Sequence, residues 1–434
     1  MVMKHIIYIS VFAFAFLFLG SVRTMACTAA VISGKATPDG RPLLWKHRDT
    51  GMPDNALEHF KGERFSFTGL VNAGGNIAPG AAVSDREVWA GANTAGFAII
   101  NTASYNIKDD DIPPSMMDRE GIVIHRALGI CGTVSDFEHF LDTLSRPIGV
   151  EANFGVIDAS GGAAMYEVNN GSYVKYDVND SSVAPDGYIV FTNFSFSGRK
   201  EDVKGYERYL TASAVFGEAV SSGTVFTPDF IFGNLSRSFR NDFTGTDLGK
   251  DFDFLLSEGI FNGIVPDIDF IPRRSTSASV VVQGVESGED PLHTVIWTVL
   301  GYPPCGTAVP VPVSVHDIVP DYMKSDPCSG HSLICDIVLD IKYRYVFRFG
   351  TGSGKGYLDM SPLMAGGPDG PSILECCTES DRKIRETFLS LYNGYTEGRT
   401  TAEEFYSGYL DISPLFLEIY LDEFKYFAHL LKNH

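Results

Sequence analysis

Three short β-prone runs, Asn153–Asp158, Ala163–Val168 and Ser172–Val178, are separated only by Ala159-Ser160-Gly161-Gly162 and Asn169-Asn170-Gly171. Turns this tight join strands side by side in opposite directions, and they leave no room for the crossover helix that a parallel sheet requires. An antiparallel meander is therefore built into the middle of the chain. Further runs at Cys27–Ser33, Leu43–Lys46, Gly96–Thr102, Tyr188–Asn193, Ser277–Val285 and His293–Leu300 extend it. Helical periodicity occurs between and after these strands. Met116–Ile130 reads as one helix. Ser135-Asp-Phe-Glu138 reads as the capping box of a second, which Pro147 ends. Near the C-terminus, Asp381–Tyr392 reads as a helix stopping at Asn393-Gly394. Another starts at Thr401-Ala-Glu-Glu404, and a last one at Ser413-Pro414. The fold class is α+β: a two-layer antiparallel β core flanked by helices, followed by a helical C-terminal segment.

Composition narrows the class of function. Of 434 residues, 44% are hydrophobic and 20% charged, which suits a folded globular chain. Acidic residues outnumber basic ones 54 to 34, a net charge of −20, so binding to nucleic acid or to an anionic membrane surface is not expected. The N-terminus differs from the rest. Lys4 and His5 precede the apolar run Ile6–Gly20, and Thr24 and Ala26 are small residues before Cys27. This pattern predicts a secretory leader cut after Ala26, a secreted or periplasmic mature chain, and no transmembrane segment within it. The organisation expected is a leader over 1–26, a catalytic domain over 27–312 and a mainly helical segment over 313–434 packed on it. Pro303–Pro312 is the most linker-like stretch.

Cleavage after Ala26 makes Cys27 the first residue. A free α-amine has a reference pKa of about 7.7–8.0, so part of it is neutral at physiological pH and can deprotonate the thiol of the same residue. The other six cysteines, Cys131, Cys305, Cys328, Cys335, Cys376 and Cys377, are expected to be buried or paired as disulfides, leaving Cys27 as the odd thiol. No cysteine or histidine spacing suits a metal site, and no cofactor is implied.

The run Cys27-Thr-Ala-Ala-Val-Ile-Ser-Gly-Lys-Ala-Thr-Pro-Asp-Gly-Arg-Pro-Leu-Leu-Trp-Lys-His-Arg-Asp49 resembles the start of a mature cysteine-type N-terminal-nucleophile hydrolase. It is similar to the group of choloylglycine hydrolases, penicillin V acylases, acid ceramidase-like amidases and isopenicillin N acyltransferases. Gly91-Ala-Asn93-Thr-Ala-Gly96-Phe-Ala-Ile-Ile-Asn101, the hairpin from Phe154 to Glu167, Thr192-Asn193 and Glu207-Arg208-Tyr209 follow in the family's order. The resemblance covers roughly residues 27–300 and implies an αββα sandwich. It implies that Cys27 is nucleophile and base, Asp49 the acid orienting the amine, and Asn193 the side-chain donor to an oxyanion, with Asn101 as second donor. Arg208 resembles the arginine near the nucleophile. Lys46 stands where the family often has arginine, and with Arg48 it is the candidate for substrate binding. His47, His125 and His293 read as structural.

The activity implied is hydrolysis of a linear amide in a small-molecule substrate through a thioester, or acyl transfer to another amine. One alternative is a dipeptidase of the same fold. A leader followed by cysteine is also the signal for lipidation, so the other alternative is a non-catalytic lipoprotein anchored through Cys27. Thr24 stands where that signal usually has leucine, and no Ser/Gly-rich tether follows. An oligomer is compatible with the sequence.

Overall fold

The computed structural model describes residues 26–73, 86–108, 111–259, 262–350, 356–366 and 370–427. The expected leader lies outside the described residues apart from Ala26. Two antiparallel sheets form the centre. The first has six strands, here β1 (Ala26–Ile32), β2 (Leu43–Asp49), β10 (Tyr188–Phe191), β11 (Thr276–Gln283), β12 (Val295–Leu300) and β13 (Val309–Pro312), in the order β10-β1-β2-β11-β12-β13. The second is a seven-stranded meander in sequence order. Its strands are β3 (Asn55–Lys61), β4 (Ser66–Asn72), β5 (Ala90–Asn93), β6 (Ala98–Ala103), β7 (Ala152–Ile157), β8 (Ala163–Val168) and β9 (Tyr173–Asp177). The central hairpins expected from the sequence are β7–β8–β9.

The sheets pack face to face, with β1 and β2 against β6 and β7. Gly155 shows how close they come: a Cβ there would lie 2.8 Å from Val31 Cγ2 and 3.2 Å from the Phe191 ring. On the outer side of the seven-stranded sheet lie α1 (Glu120–Ile130) and α2 (Val134–Thr143). Ile124, Leu128, Phe137 and Leu141 from these helices interlock with Phe67, Ile99, Phe154 and Tyr166. On the outer side of the six-stranded sheet lie α3 (Tyr206–Ser222), α4 (Leu333–Ile341), α5 (Ile373–Thr396) and α6 (Ala402–Glu423). The layering is helix, sheet, sheet, helix. Among the described residues no helix is long and apolar enough to cross a membrane.

Several local expectations are corrected. Helix α2 is capped by Thr133, whose side chain pairs with Asp136, rather than by Ser135 with Glu138. Asn93 explains the tight turn before β6: its Oδ1 accepts from Ala95 N and Phe97 N, while Nδ2 donates to Leu128 O and Cys131 O at the end of α1. Helix α5 starts eight residues earlier than Asp381, at a Ser372–Glu375 capping box, and runs through Asn393-Gly394. Helix α6 is continuous through Ser413-Pro414. Proline removes one N–H bond there, and Ser413 Oγ reaches Leu410 O at 3.5 Å, the carbonyl left without its usual partner. Pro303–Pro312 is no linker. Val309–Pro312 is the edge strand β13, where proline is tolerated because one side of the strand needs no ladder donor. Tyr409 and Tyr420 of α6 are buried and donate their hydroxyls to Pro310 O and Cys305 O, both at 2.9 Å, tying the last helix to this edge. All seven cysteines are free thiols, so no disulfide framework exists in this chain.

Candidate active site

The register of β1 against β2 sorts the candidate residues. Cys27 faces Arg48 and Ala29 faces Lys46, while Thr28 faces His47 and Ala26 faces Asp49. Opposed residues of an antiparallel pair project from the same side of the sheet. Cys27, Lys46 and Arg48 therefore point between the sheets, and Thr28, His47 and Asp49 point toward the outer helices.

On the outer side the residues form a closed network. Arg208, on α3, donates from Nη1 to Cys27 O (2.5 Å) and Thr28 Oγ1 (2.9 Å), from Nη2 to Asn193 Oδ1 (3.0 Å) and from Nε to Asp269 (3.2 Å). Asp49 is fully buried and accepts from Arg273 Nε (2.9 Å) and Thr276 Oγ1 (2.6 Å). Arg273 also pairs with Asp269, so one carboxylate links both arginines. His47 Nε2 lies 3.2 Å from Thr276 Oγ1. Burial lowers its pKa to about 4, so the imidazole is neutral, as a structural role requires. Lys342, which follows α4, is buried and donates to Arg274 O (2.7 Å) and Thr276 O (2.8 Å). It fixes the turn that presents Arg273 and Thr276 to Asp49.

Asn193 joins this network to the nucleophile. It follows β10, and Asn153 on β7 grips both neighbours by donating to Thr192 O (3.2 Å) and Phe194 O (2.9 Å). Glu167 on β8 accepts from Ser197 N (3.0 Å) and holds the segment that follows. Asn193 Oδ1 accepts from the backbone nitrogen of Cys27 at 2.8 Å, and Nδ2 donates to Ala103 O at 2.9 Å. An amide nitrogen carries two hydrogens, so one remains for another acceptor.

On the inner side Cys27 is 3% exposed and lines a cavity of about 590 Å³. Lys46, Arg48, Trp89, Asn101 and Tyr105 share its wall. Lys46 Nζ donates to Asn101 Oδ1 (2.5 Å) and Trp89 O (2.8 Å). This commits the carbonyl end of Asn101 and leaves Nδ2 as its donor. Arg48 donates to Asn55 and Asn72 side chains and stacks over the Trp89 ring, 4.9 Å from its centroid. Burial pushes Lys46 down to about 7 and Arg48 down to about 10. Burial of Glu120, also on the cavity wall, pushes it up to about 7.

All seven residues singled out from the sequence thus meet around β1 and β2, with one difference in wiring. Asp49 is opposite Ala26 and bound to Arg273 and Thr276, while the Cys27 nitrogen is held by Asn193. Sequence reasoning missed Arg273, Thr276, Asp269 and Trp89. Arg273-Arg274-Ser275-Thr276 sits immediately before a strand that was legible, but only the pairing of β11 with β2 brings it to Asp49. Among the described residues one group of metal-competent side chains converges. His331 Nδ1 lies 3.6 Å from Asp54 and 3.5 Å from Asp336, and none of the three lines the cavity.

No protein-family model and no curated protein sequence matches the chain. Among solved structures it is similar to the Caenorhabditis elegans ortholog of N-acylethanolamine-hydrolyzing acid amidase, at 16% identity and a TM-score of 0.36 over 59% of this chain and 92% of that one. It is similar to penicillin V acylase from Agrobacterium tumefaciens at 13% identity and a TM-score of 0.35, over 67% of this chain and 87% of that one. A mutant of the conjugated bile acid hydrolase from Clostridium perfringens aligns at 10% identity and a TM-score of 0.33, over 64% of this chain and 89% of that one.

Proposed function

We propose that the chain is a hydrolase of linear amides whose nucleophile is the Cys27 thiolate, exported and cut after Ala26 so that Cys27 becomes the N-terminal residue. One observation carries the reading. The two backbone ends of Cys27 are gripped by buried side chains, its nitrogen by Asn193 and its carbonyl by Arg208, while its side chain lines a substrate-sized cavity. A cysteine that only fills space needs no such clamp. The lipid-anchored alternative is disfavoured by the same burial, because an acylated N-terminal cysteine must leave the protein surface on a tether.

In this mechanism the freed α-amine takes the thiol proton, directly or through one water. The thiolate attacks the substrate carbonyl carbon; the C–S bond forms and the carbonyl π electrons move to oxygen. The remaining Asn193 Nδ2 hydrogen and Asn101 Nδ2 are the donors available to that oxyanion. Collapse of the intermediate breaks the C–N bond, and the leaving amine takes the proton back from the α-ammonium. Water, deprotonated by the same amine, then cleaves the thioester and restores the thiol. A second amine in place of water gives acyl transfer. Removing Ala26 uncovers the position opposite Asp49, so the amine gains a carboxylate neighbour while Asn193 keeps its bond. Arg273 and Thr276 hold that carboxylate in place.

The test is turnover of bile-salt conjugates, penicillin V, N-acyl amino acids and dipeptides by the mature protein beside its Cys27→Ser counterpart. The substitution keeps shape and hydrogen bonding but replaces a good nucleophile with a weak one, so the rate is expected to fall by about 10² or more. Equal turnover by both proteins overturns the thiol mechanism.

A further inference from the structure

Away from the Cys27 cavity, three metal-competent side chains converge where β3 and α4 begin. Asp54 immediately precedes β3, His331 precedes Ser332, the N-cap of α4, and Asp336 lies in the first turn of that helix. One ligand atom of each lies within 4.8 Å of the other two. His331 Nδ1 is 3.6 Å from Asp54 Oδ1 and 3.5 Å from Asp336 Oδ1. This nitrogen is sealed from solvent and has no hydrogen-bond partner, although the side chain as a whole is 43% exposed. The ring thus turns its one sealed edge toward the two carboxylates. Among the described residues no lysine or arginine pairs with either carboxylate. Two carboxylates drawn together repel, and a buried ring nitrogen without a partner is costly. A cation in the gap answers both.

The spacings narrow its kind. Zinc held tetrahedrally by nitrogen and oxygen sets its ligand atoms about 3.4 Å apart, close to the two distances here, which are too long for good hydrogen bonds. Calcium gathers more oxygens than two carboxylates offer, whereas an imidazole beside carboxylates suits a transition-metal ion. The ligands are also held in place. Cys335 Sγ accepts from Asn55 N at 3.4 Å and lies 3.7 Å from Pro53 O, so the neighbours of Asp54 and Asp336 already touch. Asp54 O accepts from Ala73 N (3.0 Å) and His331 O from Asp326 N (2.9 Å).

We propose that Asp54, His331 and Asp336 bind one divalent transition-metal ion, such as zinc, as a structural clip between β3 and α4, with water completing its shell. None of the three lines the Cys27 cavity, so the clip stands or falls independently of the amidase reading. It closes a long stretch of a chain that has no disulfide, where a cross-link restricts the unfolded state most. It also braces Asn55, which accepts from Arg48 on the cavity wall. Spacing along the chain does not mark the site, because only the fold brings Asp54 to His331.

The experiment titrates zinc by calorimetry into chelator-stripped mature protein carrying Cys27→Ser, which removes the cavity thiol as a competing ligand. Expected are one equivalent bound with a dissociation constant of about 1 μM or tighter, and a melting temperature raised by about 2 °C or more at saturation. The same concentration of magnesium is expected to give no rise. His331→Ala, Asp336→Asn and Asp54→Asn are each expected to weaken binding by about tenfold or more, with melting temperatures in chelator near that of their Cys27→Ser parent. Cys328→Ser, which removes the exposed thiol of the same loop, is expected to bind as that parent does. Cobalt(II) in place of zinc is expected to show visible d–d bands and no thiolate charge-transfer band. No zinc bound at about 100 μM, binding unchanged by both His331→Ala and Asp336→Asn, or binding lost in Cys328→Ser overturns the proposal.

Discussion

Strand β2 carries buried charge on both faces, and the two faces are built differently. Outward, Asp49 is answered by Arg273, Arg273 and Arg208 share Asp269, and Arg208 holds the carbonyl of Cys27. Inward, among the described residues, Lys46 and Arg48 are hydrogen-bonded to neutral acceptors and make no ion pair, next to a cavity that contains the candidate nucleophile. Alternate residues of one seven-residue strand thus serve a saturated network that holds β1 in place and an unsaturated wall open to a ligand. Burial alone does not tell a supporting charge from a binding one. The presence or absence of a counter-charge does.

The comparison can be broken by removing one charge from each face. Asp49→Ala strips a fully buried carboxylate from Arg273, and loss of one partner of a buried pair costs about 3–5 kcal/mol. Arg273 keeps Asp269, so the lower end is expected in denaturant unfolding, and Asp49→Asn is expected to lose less. A midpoint equal to the parent's for Asp49→Ala means that the outer network does not support the fold. Next in size is Asn193→Ala, which sits between the faces. It is expected to lower kcat by about 10²–10³ with little change in KM, since an oxyanion donor acts on charge that develops in the transition state. A rise confined to KM makes Asn193 a substrate contact.

On the inner face, Arg48→Met removes a buried cation that has no counter-ion. Its unfolding free energy is expected to stay within about 1 kcal/mol of the parent's or to rise, because the desolvation cost of the charge disappears with it. A loss comparable to that of Asp49→Ala makes the two faces alike and removes the basis of the comparison.

The parts of this site that were legible in the sequence are local. Cys27 and Asp49 lie at the ends of one hairpin, and Asn193 ends an apolar strand, so turn signals and β propensity place them. The central meander was legible because Gly161-Gly162 and Asn169-Asn170-Gly171 turn the chain between apolar runs. Strands β3, β4 and β5 were not. β3 mixes Asn55, Glu58, His59 and Lys61 into a partly exposed surface strand, and β5 is Ala-Gly-Ala-Asn, whose small residues make room for a helix. A Cβ at Gly91 would lie 3.0 Å from Leu128 Cδ1 of α1. No propensity scale identifies a strand chosen for closeness. Arg273, Thr276 and Asp269 were out of reach for another reason: more than two hundred residues separate Arg273 and Thr276 from Asp49, and only the order of strands in the six-stranded sheet joins them. The helix ends near Asn393-Gly394 and Ser413-Pro414 were misread because packing of α5 and α6 against each other and against the sheet outweighs a local breaker.

In the proposed mechanism Cys27 becomes the N-terminal residue and carries the acyl group. The direct measurement is the intact mass of mature protein quenched in acid during turnover of its best amide substrate, followed by digestion and mapping of the adduct. Expected are a chain beginning at Cys27, a mass increase equal to the substrate's acyl group on the N-terminal peptide, and no increase in the Cys27→Ala protein. An active chain that begins elsewhere, or an acyl group mapped to any other residue, contradicts it.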